Sequence, residues 1–336
     1  MTAPLALTMG EPAGIGGEIA LMAWQKRKPS ALPPFFVIDD PSRLDRLATR
    51  LGLSVPVRPI SQPGEAARVF ASALPVLPIE LAKPVSPGRP DPANAPSVIE
   101  AITKAVALVR SSRAGGLVTN PIQKETLYAA GFAYPGHTEY LGFLAKVKHP
   151  VMMLAGPELR VVPVTIHLSL AEALAALTTS AIVAAGRVTF EALRRDFGIA
   201  HPRLAVAALN PHAGEAGSMG REEIEIIAPA VKKLVALGID ARGPAPADTL
   251  FHEAARKRYD AVLCMYHDQA LIPLKTLDFE HGVNVTLGLP FIRTSPDHGT
   301  ALDIAGKGVA SPASLIAALE LAGAMAKRRA ALKDSA

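Results

Sequence analysis

The sequence predicts an α/β protein of two domains with mostly parallel sheets. Apolar strand-like runs alternate with helix-like runs along the 336 residues, and strands separated by whole helices imply βαβ crossovers. The length is that of about two average domains. A composition of 49% hydrophobic and 19% charged residues supplies apolar side chains for two cores.

The predicted strands are residues 5–9, 35–38, 117–119, 151–154, 161–166, 204–209, 261–265 and 283–287. The predicted helices are 18–26, 41–51, 95–111, 139–146, 172–196, 222–237, 249–258 and 311–327. Asp196-Phe-Gly-Ile and Leu237-Gly238 read as glycine stops at helix ends. The stretch 79–94, with Pro84, Pro87, Pro90 and Pro92, reads as a connection. Lys327-Arg328-Arg329 and the tail behind it read as a frayed helix end, its basic residues matched to the negative end of the dipole. No repeat or low-complexity tract is visible.

A net charge of +5 reads first as a solubility feature. Aromatics at 5% and the lack of a basic block interleaved with them exclude a nucleic-acid partner. Cys264 is the single cysteine, which fits a reducing compartment. The N-terminal MTAPLALTMGEP has no basic stretch and is not expected to be a signal peptide. The apolar run 173–186 is too short to span a bilayer. A cytoplasmic protein without membrane contact is expected.

Three strand-like runs each end in a histidine: His167, His212 and His267. In open α/β sheets ligands bind outside the carboxyl ends of the strands. Three neutral imidazoles delivered there could hold one divalent metal with a position open for substrate. The competing reading for each histidine alone is structural. Asp268, next to His267, and Asp248, before a helix, could orient an imidazole or accept a proton, with a helix cap as the other reading of Asp248.

Three glycine- or lysine-bearing segments have both readings. Residues 8–18, TMGEPAGIGGE, join a strand to a helix as a ligand loop or a sharp turn; they match neither a phosphate-binding P-loop nor G-x-G-x-x-G, since position 19 is Ile. Lys124 could meet an anion at a helix start or stay solvated. His137-Thr138 reads as a helix start with Thr138 as the N-cap, able to hold a phosphate or only to cap. Near the C-terminus, Lys275, Asn284 and Arg293 offer a point charge, an amide and a planar fork, a set matched to a phosphate monoester.

The stretches GEPAGIGGE, GHTEYLG, VTIHLSL, LNPHAGEAGSMGREE, MYHDQALIPLK and GVNVTLGLPFIRTSPDHGTALDIAGKG together resemble the 4-hydroxythreonine-4-phosphate dehydrogenase family, across residues 8–308. HGTALDIAGKG also resembles the cofactor loop of isopropylmalate dehydrogenases. The resemblance implies two α/β/α domains of the isopropylmalate dehydrogenase kind, the active site lying in the cleft between them at a homodimer interface. It implies residues 1–130 with 285–336 as a first domain carrying the NAD loop, and 131–284 as a second carrying the metal ligands and dimer interface. It places His167, His212 and His267 on metal positions, the last from the partner subunit. His137, Thr138, Lys275, Asn284 and Arg293 fall on substrate positions, and His298, Gly299, Thr300 and Asp303 on the cofactor loop. Asp248, Asp268 and Lys275 are the candidate bases.

Implied cofactors are NAD or NADP and one Zn²⁺, Co²⁺ or Mg²⁺ per site. The implied reaction is oxidation of a phosphorylated hydroxythreonine followed by decarboxylation, in vitamin B6 synthesis. Gly17 and Pro296 depart from the family's usual proline and valine, and residues 120–123 from its usual wording. The open alternatives are dehydrogenases of phosphothreonate or phosphoerythronate, a cis-dihydrodiol dehydrogenase, a metal-dependent hydrolase and a non-catalytic phosphometabolite-binding protein.

Overall fold

The computed structural model describes residues 2–334. The chain forms two compact units, one containing the residues up to Pro150 and Leu289–Ala330, the other Val151–Gly288 and the residues from Ala331. In chain order the first unit has β1 (Leu5–Thr8), α1 (Gly16–Gln25), β2 (Phe35–Asp39), α2 (Pro41–Arg50), β3 (Val57–Pro59), α3 (Ala66–Val69), β4 (Leu74–Pro78), α4 (Ala95–Arg110), β5 (Leu117–Thr119), α5 (Lys124–Ala129) and α6 (His137–Ala145). The second has β6 (Val151–Ala155), β7 (Arg160–Pro163), α7 (Leu170–Ala176), α8 (Thr179–Arg195), β8 (Arg203–Ala207), α9 (Ala228–Ala236), β9 (Asp240–Ala245), α10 (Glu253–Arg256), β10 (Ala261–Cys264), α11 (His267–Leu277) and β11 (Val283–Leu287). The chain then forms β12 (Arg293–Pro296) in the first unit and runs into the last helix, α12 (Ala313–Asp334).

The first unit's strands run β3-β4-β2-β1-β5-β12, all parallel. Sheets covered on both faces need near-continuous apolar strands, and β1 and β2 are buried at every position. In the second unit the order is β11-β6-β7-β10-β8-β9. Here β7, β10, β8 and β9 are parallel, whereas β6 is antiparallel to both neighbours. The predicted mostly parallel α/β architecture is what forms.

Asp40 caps α2 by accepting from the Arg43 N–H, and Pro41 supplies a preset first turn. That start brings Arg43 over Asp39 at the end of β2. Both are buried, and the guanidinium donates two hydrogen bonds to the carboxylate, at 3.1 and 3.0 Å. Burial pushes the Asp39 carboxyl up, and Arg43 opposes it. Gly10, at φ +68°, lets β1 pass against the segment after β5; a Cβ there would lie 2.5 Å from the Pro121 carbonyl oxygen.

Several local expectations change. Residues 131–150 pack in the first unit, because Tyr140, Leu141 and Ala145 of α6 join its core. The helix predicted over 172–196 is two, bent by 87°, since Thr178 accepts from the Ala181 N–H and starts a new helix. Over 222–237 a single wider turn, Glu223–Ile227, precedes α9. Only Glu253–Arg256 of 249–258 is α-helical. Strands β3, β4, β9 and β12 and helices α3, α5 and α11 are absent from the sequence pattern, being short or carrying Pro and charge. Thr138 is not the cap of α6: Gly136 precedes the helix and His137 begins it. The last two residues of the tail lie outside the described residues. No single described helix is long and apolar enough to cross a membrane.

Arg43→Met should strand the Asp39 charge in the core and lower stability by about 3–5 kcal/mol. Urea unfolding measures this; a loss under about 1 kcal/mol would show that the pair is dispensable.

Candidate active site

The parallel order β7-β10-β8 sets three carboxyl strand ends side by side. The histidines do not sit on the strands themselves, because β7, β8 and β10 stop at Pro163, Ala207 and Cys264. His167 and His212 lie in the loops beyond β7 and β8, and His267 is the first residue of α11. Two side chains join these loops. Thr165 Oγ1 donates to the Met265 carbonyl at 2.8 Å. Gln269 accepts from the Met265 N–H at 2.6 Å and donates to the Ala208 carbonyl at 2.7 Å.

His167 has φ +52°, and the loop after β8 is left-handed from His212 through Ala216. Four non-glycine residues there adopt a backbone costing roughly 1–2 kcal/mol each. Buried Glu223 supports the turn: Oε1 accepts from the N–H groups of Leu209 and Asn210, and Oε2 from the Asn210 side chain at 3.0 Å. Burial pushes this carboxyl up, but the hydrogen bonds from the Asn210 side chain and the backbone N–H groups together hold it below the usual range. Gly214 has no room for a side chain, since a Cβ would meet Glu223 Oε2 at 2.6 Å. Asn210, Glu223, Thr165 and Gln269 escaped sequence reading; the Asn-Pro-His run after a strand was the one available signal.

The rings of His167 and His267 lie 6.0 Å apart by centroid within one chain. Two imidazoles on one tetrahedral ion have centroids about 5 Å apart, so the pair within one chain is too widely set to share an ion as it stands. His212 does not join them: among the described residues no three His, Cys, Asp or Glu side chains form a metal-binding group. His267 Nδ1 lies 2.7 Å from Asp268 Oδ1. Donation from Nδ1 to this carboxylate leaves Nε2 as the free donor atom for a metal.

Asp248 is exposed in a short turn, Ala247–Thr249, and makes no cap. Lys275, on α11, has its Nζ 5.4 Å from the ring centre of Phe279 just beyond the helix, and Asn284 is half-buried on β11. Burial pushes the Cys264 thiol up, so it is no nucleophile. His149, His201, His252 and His281 are exposed.

The first unit holds a second cluster. Arg293, buried at the start of β12, donates to Thr119 Oγ1 at 2.7 and 3.2 Å. Burial lowers its pKa to about 10, against Glu139, so it stays charged at neutral pH. His137 is half-buried as a residue, yet its Nε2 is enclosed and has no partner among the described residues. Burial, then Arg293 and Lys124, push its pKa well below 6.5. A neutral imidazole between two cations is a ready partner for an anion. Lys124, for which a solvated surface position is the stronger reading from sequence, is exposed at the start of α5, and its charge reaches His137.

Residues His298 to Gly308 lie against the glycine segment after β1. Ile15 N–H donates to the Thr300 carbonyl, and Gly306 N–H to Glu18 Oε2 at 2.8 Å. His298 Nδ1 is 3.0 Å from the Gly299 carbonyl, while its buried Nε2 has no partner among the described residues. A Cβ on Gly299 would meet open space. An enclosed ring nitrogen beside bare backbone fits a ligand such as a nucleotide. Thr300 is half-buried beside it and Asp303 is exposed.

The family model for pyridoxal phosphate biosynthetic protein PdxA matches residues 31–322. Relatives named 4-hydroxythreonine-4-phosphate dehydrogenase are 58% identical in Caulobacter vibrioides, over 97% of this chain and 98% of that one, and 56% identical in Bradyrhizobium diazoefficiens, over 96% and 97%. The solved structure of that name from Klebsiella pneumoniae is 39% identical with a TM-score of 0.88, covering 97% of this chain and all of that one. A terephthalate 1,2-cis-dihydrodiol dehydrogenase from Burkholderia xenovorans is 29% identical with a TM-score of 0.65, over 96% and 98%. The motifs, the parallel architecture and these full-length likenesses agree: the chain belongs to the PdxA family of dehydrogenases.

Proposed function

We propose that this chain oxidises 4-phosphooxy-L-threonine at C3, with NAD or NADP, to 2-amino-3-oxo-4-phosphooxybutanoate. Loss of CO₂ then gives 3-amino-2-oxopropyl phosphate, a step of pyridoxal 5′-phosphate biosynthesis in the cytoplasm. The observation carrying this reading is the anion-ready cluster of buried Arg293, Lys124 and neutral His137, in a chain 58% identical over nearly its full length to a relative of that name. A phosphate monoester satisfies both the cations and the orphan imidazole nitrogen. A cis-dihydrodiol without an anionic group would leave them unmatched. Phosphothreonate and phosphoerythronate carry the same phosphate, and a substrate panel separates them.

His137, Thr138, Lys275, Asn284 and Arg293 hold the substrate, its phosphate anchored away from the reacting carbon. His167, His212 and His267 hold a divalent ion, Zn²⁺, Co²⁺ or Mg²⁺. Bound there, the ion supplies Lewis acidity toward the C3 hydroxyl, and the nicotinamide supplies the hydride acceptor. Asp268 fixes the His267 tautomer, which leaves Asp248 or Lys275 to take the hydroxyl proton. His298, Gly299, Thr300 and Asp303 hold the dinucleotide. The working form is a homodimer in which His267 comes from the partner subunit. Exposed Leu168, Leu170 and Met219 beside His167 and His212 supply apolar surface for that contact.

Mixed dimers test the shared site. His212→Ala and His267→Ala enzymes should each lose bound metal and NADH production, and refolding them together should restore part of both. No recovery would place all three ligands on one chain; phosphate release without NADH would favour a hydrolase.

Arg293→Ala should raise KM for the phosphorylated substrate about 10-fold or more, the loss of one charged hydrogen bond or more, with a smaller effect on kcat. An unchanged KM in a folded variant would remove Arg293 from the phosphate site.

His137 has a folded pKa below its unfolded value, so the unfolded chain binds more protons below about pH 6.5. Stability should therefore fall as pH drops from 6.5, by at most about 1.4 kcal/mol per unit from this residue. His137→Gln should flatten that part of the stability–pH curve; an unchanged slope would show that the ring is protonated in the native state.

A further inference from the structure

A cavity of about 230 Å³ in the first unit is lined by none of the residues assigned to the proposed reaction. Its lining includes Pro12, Gly14, Arg43, Arg46, Arg50 and Gly306, and it contains no carboxylate. It is smaller than a site for a whole cofactor, typically some 300–1,000 Å³, and of a size for one charged fragment.

The arginines differ. Arg43 is engaged by Asp39 and also donates to the Pro12 carbonyl at 3.3 Å. Arg46 and Arg50, one turn apart on α2, are exposed and have no ion-pair or hydrogen-bond partner among the described residues. Like charges at that spacing repel on a helix. The cavity therefore carries two uncompensated guanidinium forks, each shaped for bidentate binding of phosphate.

Its position says which phosphate. Gly306 closes the His298–Gly308 loop, and a Cβ there would stand 2.8 Å from Pro87 and 3.5 Å from Arg50 Nε. Gly14 backs the same loop, with a Cβ position 2.9 Å from the Thr300 carbonyl oxygen. The cavity is thus lined by Gly306 of the segment that begins at His298, and by Gly14 that packs against it.

We propose that Arg46 and Arg50 form an anion subsite for a phosphate group of the nicotinamide dinucleotide, either the 2′-phosphate of NADP or the diphosphate bridge common to NAD and NADP. The inference rests on the dehydrogenase reading and on His298–Gly308 as the cofactor segment.

Calorimetric titration of the metal-loaded protein with NAD⁺ and with NADP⁺, without substrate, tests it against the variant Arg46→Gln/Arg50→Gln. Both positions are exposed, and thermal unfolding verifies that the variant folds. The expected result is at least a tenfold loss of affinity that shrinks as salt is raised. Loss for NADP⁺ alone assigns the subsite to the 2′-phosphate; loss for both assigns it to the diphosphate. Binding of both nucleotides to the variant with wild-type affinity overturns the subsite and leaves the dehydrogenase reading standing. A wild-type protein that binds neither nucleotide overturns both.

Discussion

The hydrogen bonds of Thr165 and Gln269 hold the loops after β7, β10 and β8 as one surface. Parallel pairing brings the strand ends to a common edge, but pairing alone does not orient the loops that leave them. Gln269 does so from both ends of its amide, its oxygen accepting a hydrogen bond from the Met265 N–H and its NH₂ donating one to the Ala208 carbonyl. Because the side chain is buried, losing either partner would leave a polar group without water to replace it. The arrangement of the three proposed ligand histidines depends on this buried amide and the Thr165 hydroxyl.

Local backbone cost is concentrated at the same edge. His167 and the His212–Ala216 turn occupy left-handed conformations that non-glycine residues avoid. Such outliers persist where the surroundings over-determine them, and they cluster at functional sites. Glu223 is the restraint, since one carboxylate accepts from two backbone donors and a side-chain amide while Gly214 gives it room.

The first unit handles charge in two ways. Asp39 and Arg43 neutralise each other in the core and carry structure. Arg293 is steadied by the Thr119 hydroxyl and by the charge of Glu139, and His137 is kept neutral by burial and by its cationic neighbours. Arg46 and Arg50 stand exposed on α2 with no ion-pair partner among the described residues.

The sequence by itself determined the fold class, because strand and helix alternation and buried apolar runs are local properties of the chain. It also determined which histidines follow strands, and its long motifs determined the family. Tertiary structure decided the rest. Whether 172–196 is one helix or two turned on the Thr178 cap. The side of the boundary on which α6 falls turned on the packing of Tyr140 and Leu141. Gln269 and Glu223 look like ordinary surface residues until folding brings them to Ala208 and Asn210, in other elements. Burial is a property of the fold, and a polar side chain acquires its protonation state and its partner only when water is removed around it.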